Sequence, residues 1–410
     1  MSETKQPLLS GPMRLFLATM ILANIAGQMH FGLLPLYLQS LGAGIEQVGL
    51  FFTLAAIVPL MLQIFGGWLS DALGRLQAIA LGSLTAVLSY GVFIVAPRWE
   101  WLLLASILGA ITRSFVAPSF QAFIAEQSSE ENRGRVYGIS EGLFSVVGVV
   151  GPPLGGFLSQ RYGFKPMYAV AGMMYLVAAA VRVGMALAAM RGEDRRPAPH
   201  LAGLKDSLGQ MIGLLAGGGV VTWIFITDGL RDVAVNMEEQ LRPLYMQNLM
   251  GITNTQIGLL MSIAWLITML MMGVGGWLSD KKGERIGIIA GLLTVAAGQG
   301  VFLISRGFWG FAVAWGLFGL GWALVNPAYN SLISKAVPGR LRGTAFGLFS
   351  TSIGVIALPA PAIGAWLWAT FAPRVPFIVL PLALLASLPI IWLKFRLPAP
   401  EAEQGVHECR

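Results

Sequence analysis

Charged side chains stand close together in segment 218–247, which is otherwise mostly apolar. They are Asp228, Arg231, Asp232, Glu238, Glu239 and Arg242. If the segment is a helix, successive residues are about 100° apart and all of these charges fall on one stripe roughly 120° wide. A charge at the centre of a hydrocarbon layer costs about 2.5–3.5 kcal/mol, so we expect the stripe to face water or other protein.

The acids in this segment outnumber the bases. The arginines have acidic neighbours at the spacing of intrahelical ion pairs, namely Asp228–Arg231 and Glu238–Arg242. A carboxyl group without such a partner in an apolar setting can exchange a proton near neutral pH. We therefore predict proton binding at Asp232 and Glu239, with Asp228 and Glu238 as further candidates. One alternative is that both pairs are structural ties, and another is that Glu238 and Glu239 are solvated charges at the rim of the outer mouth.

Arg113 stands in the middle of another apolar segment, 100–125. We expect it to bind an anionic group of a substrate or to offset the acids of 218–247, and Arg231 is a second basic candidate for the same cavity. Glu141, in segment 134–160, is a further proton-binding candidate. Counting depth at about 1.5 Å per helical residue matches Glu141 with Arg182 better than with Arg113.

The segment 13–40 adds polar residues to the candidate cavity. Asn24, Gln28 and Phe31 share one helical face and are predicted to line it. His30 points elsewhere on the same helix, and its ordinary titration range makes it a candidate proton carrier or pH sensor. The alternative is that His30 is a structural residue near a helix end.

Long apolar segments must position all of these residues. Only 11% of the 410 residues are charged, against roughly 25% in soluble proteins, and the mean hydropathy is +0.71. A membrane helix needs about 20 mostly apolar residues. Twelve such segments lie near 13–40, 45–71, 76–96, 100–125, 134–160, 165–190, 218–247, 254–279, 286–305, 308–334, 342–371 and 374–395.

The hydrophilic run after residue 190 divides the chain into two sets of six segments. The predicted units are a first bundle over 1–190, a cytoplasmic linker over 191–210 and a second bundle over 211–410. With both termini on one side, eighteen basic residues lie on that side and five on the other. Because basic residues favour the cytoplasmic side, we predict cytoplasmic termini in a plasma membrane protein.

The two bundles carry an internal repeat. Residues 66–71 recur letter for letter at 275–280, which is 209 positions later, and Pro35-Leu36-Tyr37 recurs at 243–245 after 208 positions. An even number of spans per unit gives both units the same orientation in the membrane, related by an axis along its normal. The sequence therefore predicts an all-α membrane protein with twelve transmembrane helices in two pseudo-symmetric six-helix bundles.

Residues 67–75, GWLSDALGR, resemble the loop signature GxxxDxxGR of the major facilitator superfamily of secondary transporters, and the resemblance covers nearly the whole chain. Residues 151–156, GPPLGG, resemble the core motif of its drug/proton antiporters. The resemblance implies a cytoplasmic gate between the bundles, formed by Gly67, Asp71, Gly74, Arg75, Glu126, Arg133, Arg135 and Asp280. The alternative is a plain turn with surface ion pairs. The second copy of the motif departs from the pattern, with Glu284 in place of the arginine.

We expect a monomeric secondary transporter that exports small amphiphilic compounds or drugs in exchange for protons by alternating access. The alternative is a proton-coupled symporter, or a lipid or organic-anion carrier anchored by Arg113, and a third class is a transporter-like receptor that moves nothing. Expected partners are the bilayer, the substrate and protons, without nucleic acid. One cysteine and three histidines give no metal cluster, and no phosphate-binding loop or catalytic pair occurs, so we expect no cofactor and no enzyme.

Overall fold

The structure, a computed structural model, describes residues 9–128, 130, 132–189, 219–337 and 354–395, with the backbone alone for 63–73. These residues form helices and no strand. The helices of the first half are α1 (Gly11–Phe31), α2 (Leu34–Ser40), α3 (Ile45–Leu73), α4 (Arg75–Val95), α5 (Trp101–Gln127), α6 (Arg133–Tyr162) and α7 (Phe164–Ala189). Those of the second half are α8 (Val220–Glu238), α9 (Arg242–Met250), α10 (Asn254–Lys282), α11 (Glu284–Ile304), α12 (Phe308–Ala336), α13 (Ala360–Thr370) and α14 (Val375–Lys394).

The predicted class, an all-α membrane protein, is confirmed. Within the described residues, nine helices are long and apolar enough to span a bilayer, and α1 with α2 gives a tenth span bent by 54°. The two remaining predicted spans do not meet these criteria. The segment predicted as one span over 218–247 is broken, because α8 ends at Glu238 and Arg242 begins α9, so the charged stripe continues across the break. The span predicted over 342–371 lies partly outside the described residues, and the predicted linker 191–210 lies wholly outside them.

Glycine turns begin two helices in the same way. Gly74 between α3 and α4 has φ of +94°, and Gly283 between α10 and α11 has φ of +91°. Residues with a Cβ rarely adopt this conformation. The two turns therefore place Arg75 and Glu284 at the first position of their helices.

The sequence repeat reappears as repeated packing inside each half. A Cβ added at Gly155 of α6 would overlap the carbonyl oxygen of Met29 in α1, and a Cβ at Gly364 of α13 would overlap that of Met237 in α8. These glycines are 209 positions apart and the methionines 208. Small residues allow this backbone contact, which is how helices associate closely in a membrane.

Each half packs a glycine against a proline of the other half, and the two contacts are equivalents in the repeat. Gly49 of α3 packs on the carbonyl of Pro361 in the second half, and Gly258 of α10 packs on that of Pro152 in the first. Both contacts lie toward one surface, which we call the far side. The near side is the surface where α1 begins and α14 ends.

Polar contacts reinforce this junction on the far side. The side-chain amide of Asn248 donates to Gln39 at 3.0 Å, and these two residues are 209 positions apart. The backbone N–H of Asn254 donates to the side chain of Gln160 at 3.0 Å. We call the glycine–proline contacts and these hydrogen bonds the far-side seam.

The seam also completes a helix that proline interrupts. Pro153 lacks the N–H that would normally donate to the carbonyl of Val149. The hydroxyl of Ser262 in α10 donates to that carbonyl instead. At the equivalent place, the backbone N–H of Ala362 donates to Thr53 of α3 at 3.2 Å.

We expect Gly155→Ala to lower the stability of the protein, because its Cβ would force α6 away from α1 at an overpacking cost of about 1–3 kcal/mol. Gly142→Ala on the same helix is the matched control, since a Cβ there meets nothing within 4 Å. Thermal unfolding of the detergent-solubilised protein measures both variants. Equal midpoints for the two would contradict the close α1–α6 contact.

Candidate functional site

The charged stripe of α8 is built around Arg231. Its Nη1 lies 3.0 Å from Asp228, and its Nη2 lies 3.3 Å from Asp232. The guanidinium also lies over the rings of Tyr329 and Trp322 in α12, at 5.1 and 5.8 Å from their centroids. Arg231 thus forms ion pairs with two acids and packs against two aromatic rings. The three charged residues together carry one negative charge in excess.

The two acids beside Arg231 differ in their access to solvent. The side chain of Asp228 is 9% exposed and that of Asp232 is 36% exposed. Asp228 is therefore a buried partner of Arg231, whereas the carboxylate of Asp232 is partly exposed.

A second pair lies at the end of α8 and is fully packed. Arg242 donates to the carboxylate of Glu238, which is completely buried. Gln299 of α11 donates to the same carboxylate and also to the carbonyl of Phe377 at 3.0 Å. The guanidinium of Arg242 lies 4.5 Å from the ring centroid of Phe318. This arrangement has the geometry of a structural tie.

Glu239 follows this pair and is half-buried. Among the described residues it forms no ion pair that matches the one between Glu238 and Arg242. Asp232 and Glu239 are thus the two acids of the stripe that have no arginine to themselves, since Asp232 shares Arg231 with Asp228 and Glu239 has no ion pair with another described residue. Their proton-binding role stays a prediction.

Arg113 of α5 is exposed, and no acid of the described part lies within ion-pair distance of it. Glu141 of α6 is also exposed. The match between Glu141 and Arg182 suggested by helix depth is wrong. Arg182 is buried between α1, α4 and α7, where it donates to Thr19 at 3.2 Å and Ser83 at 3.0 Å.

The candidate residues of α1 divide between two surroundings. Phe31 is 57% exposed, and Asn24 and Gln28 are half-buried, with the side-chain oxygen of Gln28 lacking a hydrogen-bond partner among the described residues. His30 is packed against aromatic rings, the nearest being Tyr168 at 5.2 Å between centroids. A ring nitrogen of His30 lies 3.2 Å from the carbonyl oxygen of Ala26.

The residues of the predicted gate lie on the near side. Arg75 pairs with Glu126 at 3.3 Å, next to the Gly74 turn. Arg133 and Arg135 at the start of α6 are exposed, as is Asp280 near the end of α10. The side chains of residues 67 and 71 lie outside the described part of the chain.

Three partners of these residues were missed in the sequence. Gln299 and Tyr329 come from helices whose orientation a single-helix projection does not give. Lys335, which pairs with Glu284, could have been found because it stands 209 positions after Glu126.

The comparison with protein families settles the class of protein. The Major Facilitator Superfamily model matches residues 16–230 and 240–408, so the chain belongs to this family. The chain is therefore a multi-pass integral membrane transporter, as the resemblance of residues 67–75 predicted.

Its curated relatives include drug efflux proteins. The "Multi-drug resistance efflux pump PmrA homolog" of Lactococcus lactis is 25% identical over 339 residues, covering 80% of this chain and 81% of the relative. The "Multidrug resistance protein MdtG" of Citrobacter koseri is 25% identical over 375 residues, covering 87% and 88%. The crystal structure of a bacterial homologue of the iron transporter ferroportin in an inward-facing state has a TM-score of 0.75 at 14% identity, covering 94% of this chain and 100% of that one. At this identity the likeness shows the fold alone.

We expect Arg242→Met to lower the free energy of unfolding by about 3–5 kcal/mol, because it leaves Glu238 buried without its cation. The double variant Glu238→Gln/Arg242→Met removes both charges and should recover most of the loss. Thermal unfolding of the purified protein measures the difference. Equal losses in the single and double variants would show that the pair is not a buried tie.

Proposed function

We propose that the chain is a proton-coupled exporter of small amphiphilic compounds that works by alternating access between its two halves. The observation that carries the proposal is the partly exposed carboxylate of Asp232, which shares Arg231 with a buried acid. Protonation of Asp232 leaves the Asp228–Arg231 pair intact. A proton can therefore bind and leave without an unpaired charge in the protein interior.

The aromatic rings beside Arg231 support an amphiphilic substrate. Trp322 and Tyr329 lie against the guanidinium that pairs with Asp232. Aromatic surfaces next to a few charged groups suit molecules that have both an apolar body and a polar end. The efflux proteins among the relatives support the same substrate class.

The arrangement of the halves supports alternating access. The far-side seam closes one surface with small residues and few polar contacts, whereas Arg113 and Glu141 are exposed. A second state would open the seam and bring the near sides of the halves together. Such rocking of two repeats around a central site is the general mode of transporters with internal repeats.

The distribution of basic residues supports one orientation of the chain in the membrane. Eighteen of them fall on the near side and five on the far side when the twelve predicted spans are used. We therefore take the near side as cytoplasmic and the membrane as the plasma membrane. The proposed transporter is a monomer that binds protons and substrate without a further cofactor.

A second candidate function rests on Arg113. An exposed arginine in the middle of a span, with no ion pair among the described residues, is a suitable anchor for an anionic group. It supports a symporter, or a carrier of lipids or organic anions, in place of a drug exporter.

We expect Asp232→Asn to abolish accumulation of ethidium, a cationic amphiphile, in proteoliposomes under an imposed pH gradient. The amide keeps the size of the side chain and removes its titration. Fluorescence of the trapped dye measures the flux. Glu100→Gln, which changes an acid of a surface ion pair, is the matched control. Accumulation that does not depend on the gradient in the unaltered protein would end the proton-coupled proposal.

The two candidate functions predict different results for Arg113→Ala. If the chain exports amphiphilic cations, the variant should retain ethidium flux. If Arg113 is an anion anchor, it should lose the flux of an anionic amphiphile such as anilinonaphthalene sulfonate. The same proteoliposome assay with both dyes measures the outcome. Selective loss of anion flux would favour the second function.

A further inference from the structure

Two bases lie over tryptophan rings at the near-side end of the second half. The guanidinium of Arg285, in the first turn of α11, lies 5.8 Å from the ring centroid of Trp392 and donates to the carbonyl of that residue at 3.2 Å. The ammonium of Lys394 lies 5.2 Å from the ring centroid of Trp223, near the start of α8. We call these four residues the α14 cluster, because two of them belong to α14.

Helix α14 joins the two contacts. It packs against both α11 and α8. Trp392 and Lys394 stand in its last turn, two residues apart, so their side chains leave the helix about 200° from each other. The tryptophan therefore meets the base of α11, and the lysine meets the tryptophan of α8.

The repeat shows that packing alone does not require this cluster. Tyr168 stacks on Phe93 in the first half, and their equivalents Phe377 and Phe302 pack together in the second, so α7 and α14 are in register at 209 positions. At the positions equivalent to the cluster, the first half has only aliphatic side chains, although its three helices pack in the same way. These are Leu76, Val183 and Met185 at 209 positions, and Leu15 at the 208 positions that relate α1 to α8.

The bases of the cluster are not neutralised by acids. Among the described residues, neither Arg285 nor Lys394 has an acid within ion-pair distance. Glu284, the acid next to Arg285, is instead held by Lys335 and Ser331. This part of the near side therefore carries positive charge in excess. Its bases are Lys281, Lys282, Arg285, Lys335 and Lys394, and its acids are Asp280 and Glu284.

The cluster also has the apolar surface and the position of a headgroup site. The ring of Trp392 is 54% exposed, and Lys394 beside it is exposed. All four residues stand at the ends of membrane helices, where indole rings lie between the acyl chains and the headgroups. The long stems of arginine and lysine allow their charged ends to reach the phosphates at this level.

We propose that the α14 cluster binds the headgroup of an anionic phospholipid from the surrounding bilayer. The phosphate lies at Arg285 and Lys394, and the first carbons of the acyl chains lie on the rings of Trp392 and Trp223. A zwitterionic headgroup brings its own cationic group, which the bases repel, so the cluster selects headgroups with a net negative charge. The inference does not depend on what the chain transports or on how transport is driven.

The test uses the tryptophans of the cluster as reporters. Phospholipids brominated on their acyl chains quench the fluorescence of the indoles that they contact. The purified full-length chain in detergent micelles is titrated with brominated phosphatidylglycerol and, separately, with brominated phosphatidylcholine. We expect phosphatidylglycerol to quench at a lower mole fraction. Trp223→Phe/Trp392→Phe should remove this selective part of the quenching and leave the part that the two lipids share.

Two double variants test the bases. Arg285→Gln/Lys394→Gln keeps both tryptophans and should lower the preference for phosphatidylglycerol by about tenfold, since each base near an anionic surface contributes to binding. The matched control is Arg161→Gln/Lys165→Gln, which removes two exposed bases from the far side. It should keep the preference. Thermal unfolding midpoints show whether each variant is folded, and the unaltered protein tests the inference even if a variant is not.

The outcomes separate this inference from the proposed function. A preference that is lost with the bases of the cluster and kept in the control supports the lipid site. Equal quenching by the two lipids in the unaltered protein, or a preference that survives the loss of both bases, overturns it. Displacement of the brominated lipid by inorganic phosphate would assign the bases to a free anion and would overturn it as well. The titrations contain no pH gradient and no transported compound, so their failure leaves proton-coupled export standing.

Discussion

The free-energy cost of a charge in hydrocarbon is the constraint on which the rest of the molecule depends. It explains why Arg231 is enclosed by two acids and two aromatic rings and why Glu238 is held by both Arg242 and Gln299. Each of these charges has several partners, some of them from other helices. The buried charges of α8 therefore fix how α8 packs against α11 and α12, and the partly exposed Asp232 is the acid of this group that is least enclosed.

The first half meets the same constraint in another way. Arg182 is buried without an acid among its described partners and instead donates to Thr19, Ser83 and the sulfur of Met20. Arg182 is thus surrounded by neutral acceptors from α1 and α4, whereas Arg231 and Arg242 of the second half pair with acids.

Much of the fold could be predicted from the sequence because hydropathy and the repeat are both local patterns. The offset of 209 positions, visible in residues 66–71, extends to contacts such as Gly49–Pro361 and Gly258–Pro152. The helical projection of 218–247 predicted the pairs Asp228–Arg231 and Glu238–Arg242 correctly, since both partners lie close together along the chain, although it did not predict the break between α8 and α9. It could not predict the hydrogen bond from Gln299 to Glu238 or the neutral surroundings of Arg182, because those contacts depend on the rotation of other helices about their axes. Matching residues by depth failed for Glu141 for the same reason.

The seam has a consequence for the act of opening. Ser262 donates the hydrogen bond that Pro153, which has no backbone N–H, cannot donate to the carbonyl of Val149. In the alternating access proposed above, separation of the far side would leave that carbonyl without its partner, which is costly for a buried polar group unless a water molecule replaces the lost donor. Opening of the far side would then require water to enter beside Pro153. The proline motif thus links the proposed opening to hydration of the contact between α6 and α10.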